Sequence, residues 1–224
     1  METTNAKGKM ENAKWKILTF AICTSQFAIL LSGCVAYQVA GEVERGRPQL
    51  IFGDPKIALE NFQRAAQLQP DFRYNFTLLN EGVWSYVGRA QYYVGNLAEA
   101  RKALETDLSR YSDDNLARLY LGMVLARDGS RERGLKEMES ALGGLHDWLD
   151  HIEQYNREGI YWDPLKELRA EIRRQLAMIR GKEFQLPELI SSAEYLGKKF
   201  EEEIDWVRRH KREYEDGDGN ASVP

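Results

Sequence analysis

A pattern in the middle of the chain returns at a fixed offset. Trp84-x-x-Val87-Gly88 recurs 34 residues later as Arg118-x-x-Leu121-Gly122, and the turn Gly95-Asn96 recurs as Gly129-Ser130. Ala100 and Leu104 recur at the same offset as Gly134 and Met138. An internal period of this length marks one supersecondary unit used more than once. Such a unit cannot bury its apolar face alone, so copies must stack and the stack must be capped. Small residues opposite bulky ones let paired helices approach closely, which gives Gly88, Gly122 and Ala100 a packing reason. Ala, Leu, Glu and Arg dominate the body and prolines number only 6, a balance that favours helices over sheets.

The helix signals fall around that period. Asp54-Pro55 reads as an N-cap followed by proline at the first helical position, with a helix to about Gln69 that Pro70 ends. Residues 71–80 form an aromatic-rich connection. A second helix is expected from about Glu81 to Val94, a third over Leu97 to Tyr111, and a fourth over Asn115 to Arg127 behind the cap Ser112-Asp113-Asp114. A fifth starts after Gly129-Ser130 and is expected to end at Gly143-Gly144. Asp163-Pro164 then starts a helix striped with Leu165, Leu168, Ile172, Leu176 and Ile179. Pro187 opens the last, striped with Leu189, Ala193, Leu196, Phe200, Ile204 and Val207. The acidic, Gly-containing end, residues 214–224, reads as disordered.

On these residues the chain resembles the tetratricopeptide repeat: a bulky residue, Leu-Gly, a turn with Gly, then Ala, a large apolar residue, Ala and a terminal Pro. Gly82–Ser112 matches through Trp84, Gly88, Gly95, Ala100 and Leu104, and departs at Asp107 and Ser112. Asn115–Leu142 matches through Leu121, Gly122, Gly129, Met138 and Ala141, with Gly134 in the Ala position. Residues 54–70 match a second helix only, through Ala58, Phe62, Ala65 and Pro70. From Ala58 to Ala100 is 42 residues rather than 34, so residues 71–80 hold an insertion. The resemblance implies an all-α fold of about 2.5 to 3 repeats over residues 53–142. A C-terminal helical cap over residues 143–213 would complete it. It also implies a concave groove lined in register by Ser85, Tyr86, Arg89 and Tyr93 in one repeat, and by Leu119, Tyr120, Met123 and Arg127 in the next. Tyr and Arg are residue types that dominate interface energetics, and the alternative is that half of these side chains simply pack against residues 71–80 or the C-terminal helices.

The N-terminus reads as an address. Residues 1–16 carry four Lys against two Glu, and Ile17 to Leu31 holds no charge, the layout of a secretory signal and short for a membrane span. It ends in Leu31-Ser32-Gly33-Cys34, which resembles the lipobox of bacterial lipoproteins at all four positions. The resemblance implies cleavage of a signal peptide, 1–33, and acylation of Cys34. Residues 34–52 would then be a lipidated tether with a degenerate first helix. Met10 could serve as an alternative start. Two or more acyl chains hold a protein stably on a membrane. Val35 is not the Asp that signals inner-membrane retention in many such lipoproteins, which by analogy favours the outer membrane, facing the periplasm.

Little in the chain suggests chemistry. Both cysteines, Cys23 and Cys34, precede residue 35, which leaves the body without a disulfide framework or a Cys nucleophile. Net charge is -4, so no basic field invites nucleic acid. There is no phosphate loop or GxSxG. His146-Asp147-Trp148-Leu149-Asp150-His151 gathers possible ligands without an identifiable third one, and reads as solvated charges around an inward Trp. The basic cluster Arg208–Arg212 is followed at once by acidic residues. No cofactor, metal or catalytic residue is expected. The expected function is a lipid-anchored periplasmic scaffold or adaptor that binds another cell-envelope protein through the groove. A metal- or small-ligand-binding envelope protein, or a spacer self-associating through the C-terminal stripe, stays open beside it.

Overall fold

The computed structural model describes residues 35–75, 78–181 and 184–218, with side chains through Lys211. The expected signal peptide and Cys34 lie outside the described residues. Among those described the protein is all-helical apart from one two-stranded ribbon. The helices are α1 (residues 35–52), α2 (Pro55–Leu68), α3 (Val83–Val94), α4 (Leu97–Arg110), α5 (Asn115–Arg127), α6 (Arg131–Tyr155), α7 (Glu167–Gly181) and α8 (Leu186–Asp218). A 3-10 turn, Arg157–Tyr161, joins α6 to α7. No described helix is long and apolar enough to cross a membrane.

Helices α2 to α7 pack each on the next, and α8 returns against α5, α7 and the 3-10 turn. The 34-residue echo has a physical counterpart. A Cβ at Gly88 would come 2.5 Å from Leu104 of α4, and one at Gly122 would come 2.5 Å from Met138 of α6. Gly95 and Gly129 both take φ of 91°, the left-handed geometry that lets each pair of helices reverse. The pairs α3/α4 and α5/α6 thus use the same small-against-large contact and the same turn.

Residues 35–52 form a helix that packs into the core rather than a tether. Val39, Val43 and Leu50 of α1 are buried with Ala58, Phe62 and Ala65 of α2 in one apolar cluster. Gly46 admits the Phe62 ring. Asp54 caps α2 as expected, accepting from the Lys56 amide at 2.8 Å. The ends of the 71–80 connection pair as an antiparallel ribbon, Arg73–Tyr74 with Glu81–Gly82, which shifts the start of α3 to Val83.

Three other boundaries differ from the sequence expectation. Helix α6 runs through Gly143-Gly144 to Tyr155, because Leu142, Leu145, Leu149 and Ile152 continue its buried stripe. Tertiary burial there outweighs the cost of about 1 kcal/mol for a helical glycine. Helix α7 begins at Glu167, leaving Leu165 in a turn and off the stripe. Helix α8 continues as backbone to Asp218, so residues 214–218 are not an irregular tail.

Candidate functional site

The eight residues expected to line the groove come together, but not as an open surface. Ser85, Tyr86, Arg89, Leu119, Tyr120 and Met123 are buried, Tyr93 is half-buried, and only Arg127 is exposed. The corrected picture is a groove filled by the chain's own α8. Gly197 of α8 lets the Tyr120 ring lie against its backbone, where a Cβ would meet the hydroxyl at 2.5 Å. Tyr92 donates to Glu194, and Lys198 sits 5.3 Å over the Tyr93 ring. The stripe Leu189, Ala193, Leu196, Phe200, Ile204 and Val207 is wholly buried inside the molecule. That spends the surface on which a self-associating spacer would rely.

At the centre lies a buried ionic cluster that reaches the surface at Asp205. Arg89 of α3 makes ion pairs with Glu81 at 2.7 Å and with Glu201 of α8 at 2.6 Å. Arg47 of α1 donates to the Glu201 carboxylate at 2.7 Å, to its carbonyl at 3.0 Å and to Asp205 at 2.9 Å. Tyr86 donates to Glu81 at 2.6 Å, and Arg89 stands 4.4 Å over the Tyr86 ring. Burial pushes Glu201 upward, yet Arg89 and Arg47 outweigh it and hold the carboxyl below the usual range. Glu81 has one arginine against the same burial and is pushed up to about 8. Three elements far apart in sequence are thus tied together at Glu201.

Two further carboxylates lie beneath. Asp107, the departure from the repeat pattern, accepts from the Ser85 amide at 3.0 Å and so caps the start of α3 from the neighbouring helix. Asp114 accepts from Ala117 at 2.8 Å and from Gly82 at 3.0 Å, tying α5 to the ribbon. Burial and then the charge of Asp114 push the Asp107 carboxyl up to about 9, and burial raises Asp114 as well. Shifted carboxylates often mark catalysis, but these are shut off from solvent and occupied with backbone amides.

The His146–His151 segment lies on α6. His146 approaches Asp150 at 3.3 Å, Asp150 accepts from Arg169 at 2.8 Å, and the His151 ring lies tilted against Tyr155 at 4.9 Å. Among the described residues no group of three or more His, Cys, Asp or Glu is arranged to hold a metal. Trp148 packs inward against Trp162 and Phe200. The basic cluster is partly engaged, Arg208 with Glu44 at 2.6 Å and Lys211 with Glu158 at 2.7 Å.

The sequence left open whether the chain's own helices fill the groove, and a signal that they do exists. From Leu116 to Ala126 only Arg118 is charged, so α5 is apolar all round. A helix with no polar face must be covered on every side. An open concavity lies elsewhere among the described residues. A cleft of about 620 Å³ runs between the turn before α7, the outer face of α8 and the end of α1, and Phe52, Leu165, Tyr195 and Trp206 line it. Comparison with protein-family models, with curated proteins and with solved structures finds no match for the chain.

Proposed function

We propose that the protein is a lipid-anchored scaffold or adaptor of the cell envelope, built on tetratricopeptide-type hairpins and carrying no catalytic step. The observation that supports the hairpin reading is the recurrence, at one 34-residue offset, of Gly88 on Leu104 and Gly122 on Met138, with Gly95 and Gly129 at the same φ. The lipobox Leu31-Ser32-Gly33-Cys34 supports the anchor, and Val35 after it, by analogy with other lipoproteins, favours the periplasmic face of the outer membrane. Because α8 fills the groove, the repeats serve this protein as a rigid frame, and the partner engages the exposed side of that frame.

Envelopes cross-linked in cells and purified on the protein test this. The wild-type chain is expected to bring down a discrete envelope protein. Cys34→Ala is expected to keep the uncleaved size, leave the membrane fraction changed, and lose that protein. Unchanged size and attachment in Cys34→Ala would sink the anchor, and an empty purification with the wild-type chain would sink the adaptor.

A further inference from the structure

Helix α7 is preceded by a turn with two residues in left-handed geometry, Asp163 at φ 51° and Lys166 at φ 60°. Neither is glycine, and such a conformation is strained unless its surroundings fix it. Here they do. The Asp163 carboxylate accepts from the amides of Leu168 at 2.8 Å and Arg169 at 3.1 Å and is paired with the Arg169 guanidinium at 2.9 Å. The Asp163 amide donates to Glu203 at 2.6 Å, and the Lys166 amide closes the turn on the Asp163 carbonyl at 2.9 Å. What this fixed turn presents outward is Leu165, 79% exposed.

Leu165 is not alone. Phe52 is 76% and Tyr195 52% exposed, and all three line the same cleft, with Trp206 at its wall. Single exposed apolar residues are ordinary, whereas several gathered around one concavity, one of them held out by a strained turn, mark a docking surface. The charge of the lining states what kind of occupant fits. Six carboxylates line the cleft against two cations, Lys199 and Arg209. Asp163, Glu171 and Asp205 are satisfied by Arg169, Arg174 and Arg47, and Glu202 by Lys199. Glu167 and Glu203 have no ion-pair partner among the described residues. Burial raises Glu203 above the usual carboxylate range, a cost that a cation placed beside it would offset. An anionic lipid surface would be repelled by the same lining.

We infer that this cleft is the partner-docking surface, and that it takes a protein segment carrying an apolar anchor flanked by Lys or Arg. The anchor seats against Leu165, Phe52 and Tyr195, and the basic residue faces Glu167 and Glu203. This rests on the adaptor reading and adds to it the place and the chemistry of the contact.

The test uses the full chain in nanodiscs of zwitterionic lipid and fluorescent peptides with Leu and Phe anchors at helical spacing among Lys and Ser. A charge-reversed set with Glu for Lys is run beside them. The basic set is expected to bind, with affinity about tenfold weaker in Leu165→Ser/Tyr195→Ser and about tenfold weaker in Glu167→Lys. All three positions are exposed, so circular dichroism and Tm of the variants are expected to match the wild type. Absence of binding, equal binding of the charge-reversed set, or unchanged affinity in both variants overturns the proposal. So does self-association of the chain abolished by the same variants, or binding to anionic vesicles alone. The cross-linked envelopes separate the two readings. The same partner captured by wild type and Leu165→Ser/Tyr195→Ser keeps the adaptor and removes the cleft. Peptide binding through the cleft with no partner captured keeps the cleft and removes the adaptor.

Discussion

Glycine substitutions separate contact from conformation at the residue scale. A Cβ added at Gly122 would meet Met138 at 2.5 Å and the Gly134 carbonyl at 2.8 Å, and backbone cannot step aside as a flexible side chain can. Gly122→Ala is therefore expected to cost about 1–3 kcal/mol in urea unfolding. Gly143 sits inside α6 with nothing within 4 Å of an added Cβ, so Gly143→Ala is expected to stabilise by about 0.5–1 kcal/mol. Equal effects at the two sites would contradict the helix pairing described above. Asp107 and Glu81 bear on pH. Burial pushes their carboxyls up, to about 9 and about 8, from near 4 in the unfolded chain. The native state then holds more protons between those limits, so their contribution is complete below about pH 4 and is lost as pH rises through about 8–9. Asp107→Asn keeps the acceptor for Ser85 and cannot ionise. It is expected to narrow the drop in Tm between about pH 6 and pH 9 by about 2–4 °C. A drop as steep as in the wild type would mean that Asp107 is already ionised at neutral pH.

Elements far apart in sequence meet at Glu201, which joins α8 to both α1 and α3. Removing one member of a buried ionic cluster leaves the others short of countercharge, so Glu201→Ala, which leaves Arg47 to Asp205 and Arg89 to Glu81, is expected to cost somewhat less than the about 3–5 kcal/mol of a fully broken buried pair. A loss under about 1 kcal/mol in urea titration would mean that water reaches the arginines. Element boundaries also show what local pattern reads and what it misses. The caps Asp54 and Asp114 and the turns at Gly95 and Gly129 were legible, because each is a local device whose residues are neighbours in sequence. Gly143-Gly144 looks like a helix end, yet α6 continues, because helix termination there is decided by Leu145 and Leu149 finding a core to enter. Leu165 looks like the first residue of a stripe. The bonds of Asp163 to Leu168, Arg169 and Glu203 instead turn it outward, and only the last of these partners is remote enough to escape a local reading.

The whole molecule depends on α8. Leu189, Leu196, Phe200, Ile204 and Val207 are each buried, and at about 1.5–3 kcal/mol per side chain their sum rivals the 5–15 kcal/mol that holds a typical domain together. A chain ending before Leu186 is therefore expected to lose cooperative thermal unfolding and its near-ultraviolet dichroism. A well-folded, soluble truncation would show the repeats to be self-sufficient and would reopen the groove as a binding surface. The sequence by itself determined the helical class, the 34-residue spacing of the hairpins and the apolar stripe of the last helix, because each is periodic and periodicity is local. It also brought Arg89, Tyr86 and Tyr120 to one side of the structure. Whether that side faces solvent was not local. It depended on where α8 returns, and the charge matching that brings it back joins Arg47 and Arg89 to Glu201 across more than 110 residues. Tertiary structure alone decided that the groove is the core and that the open apolar cleft lies on the other face of α8.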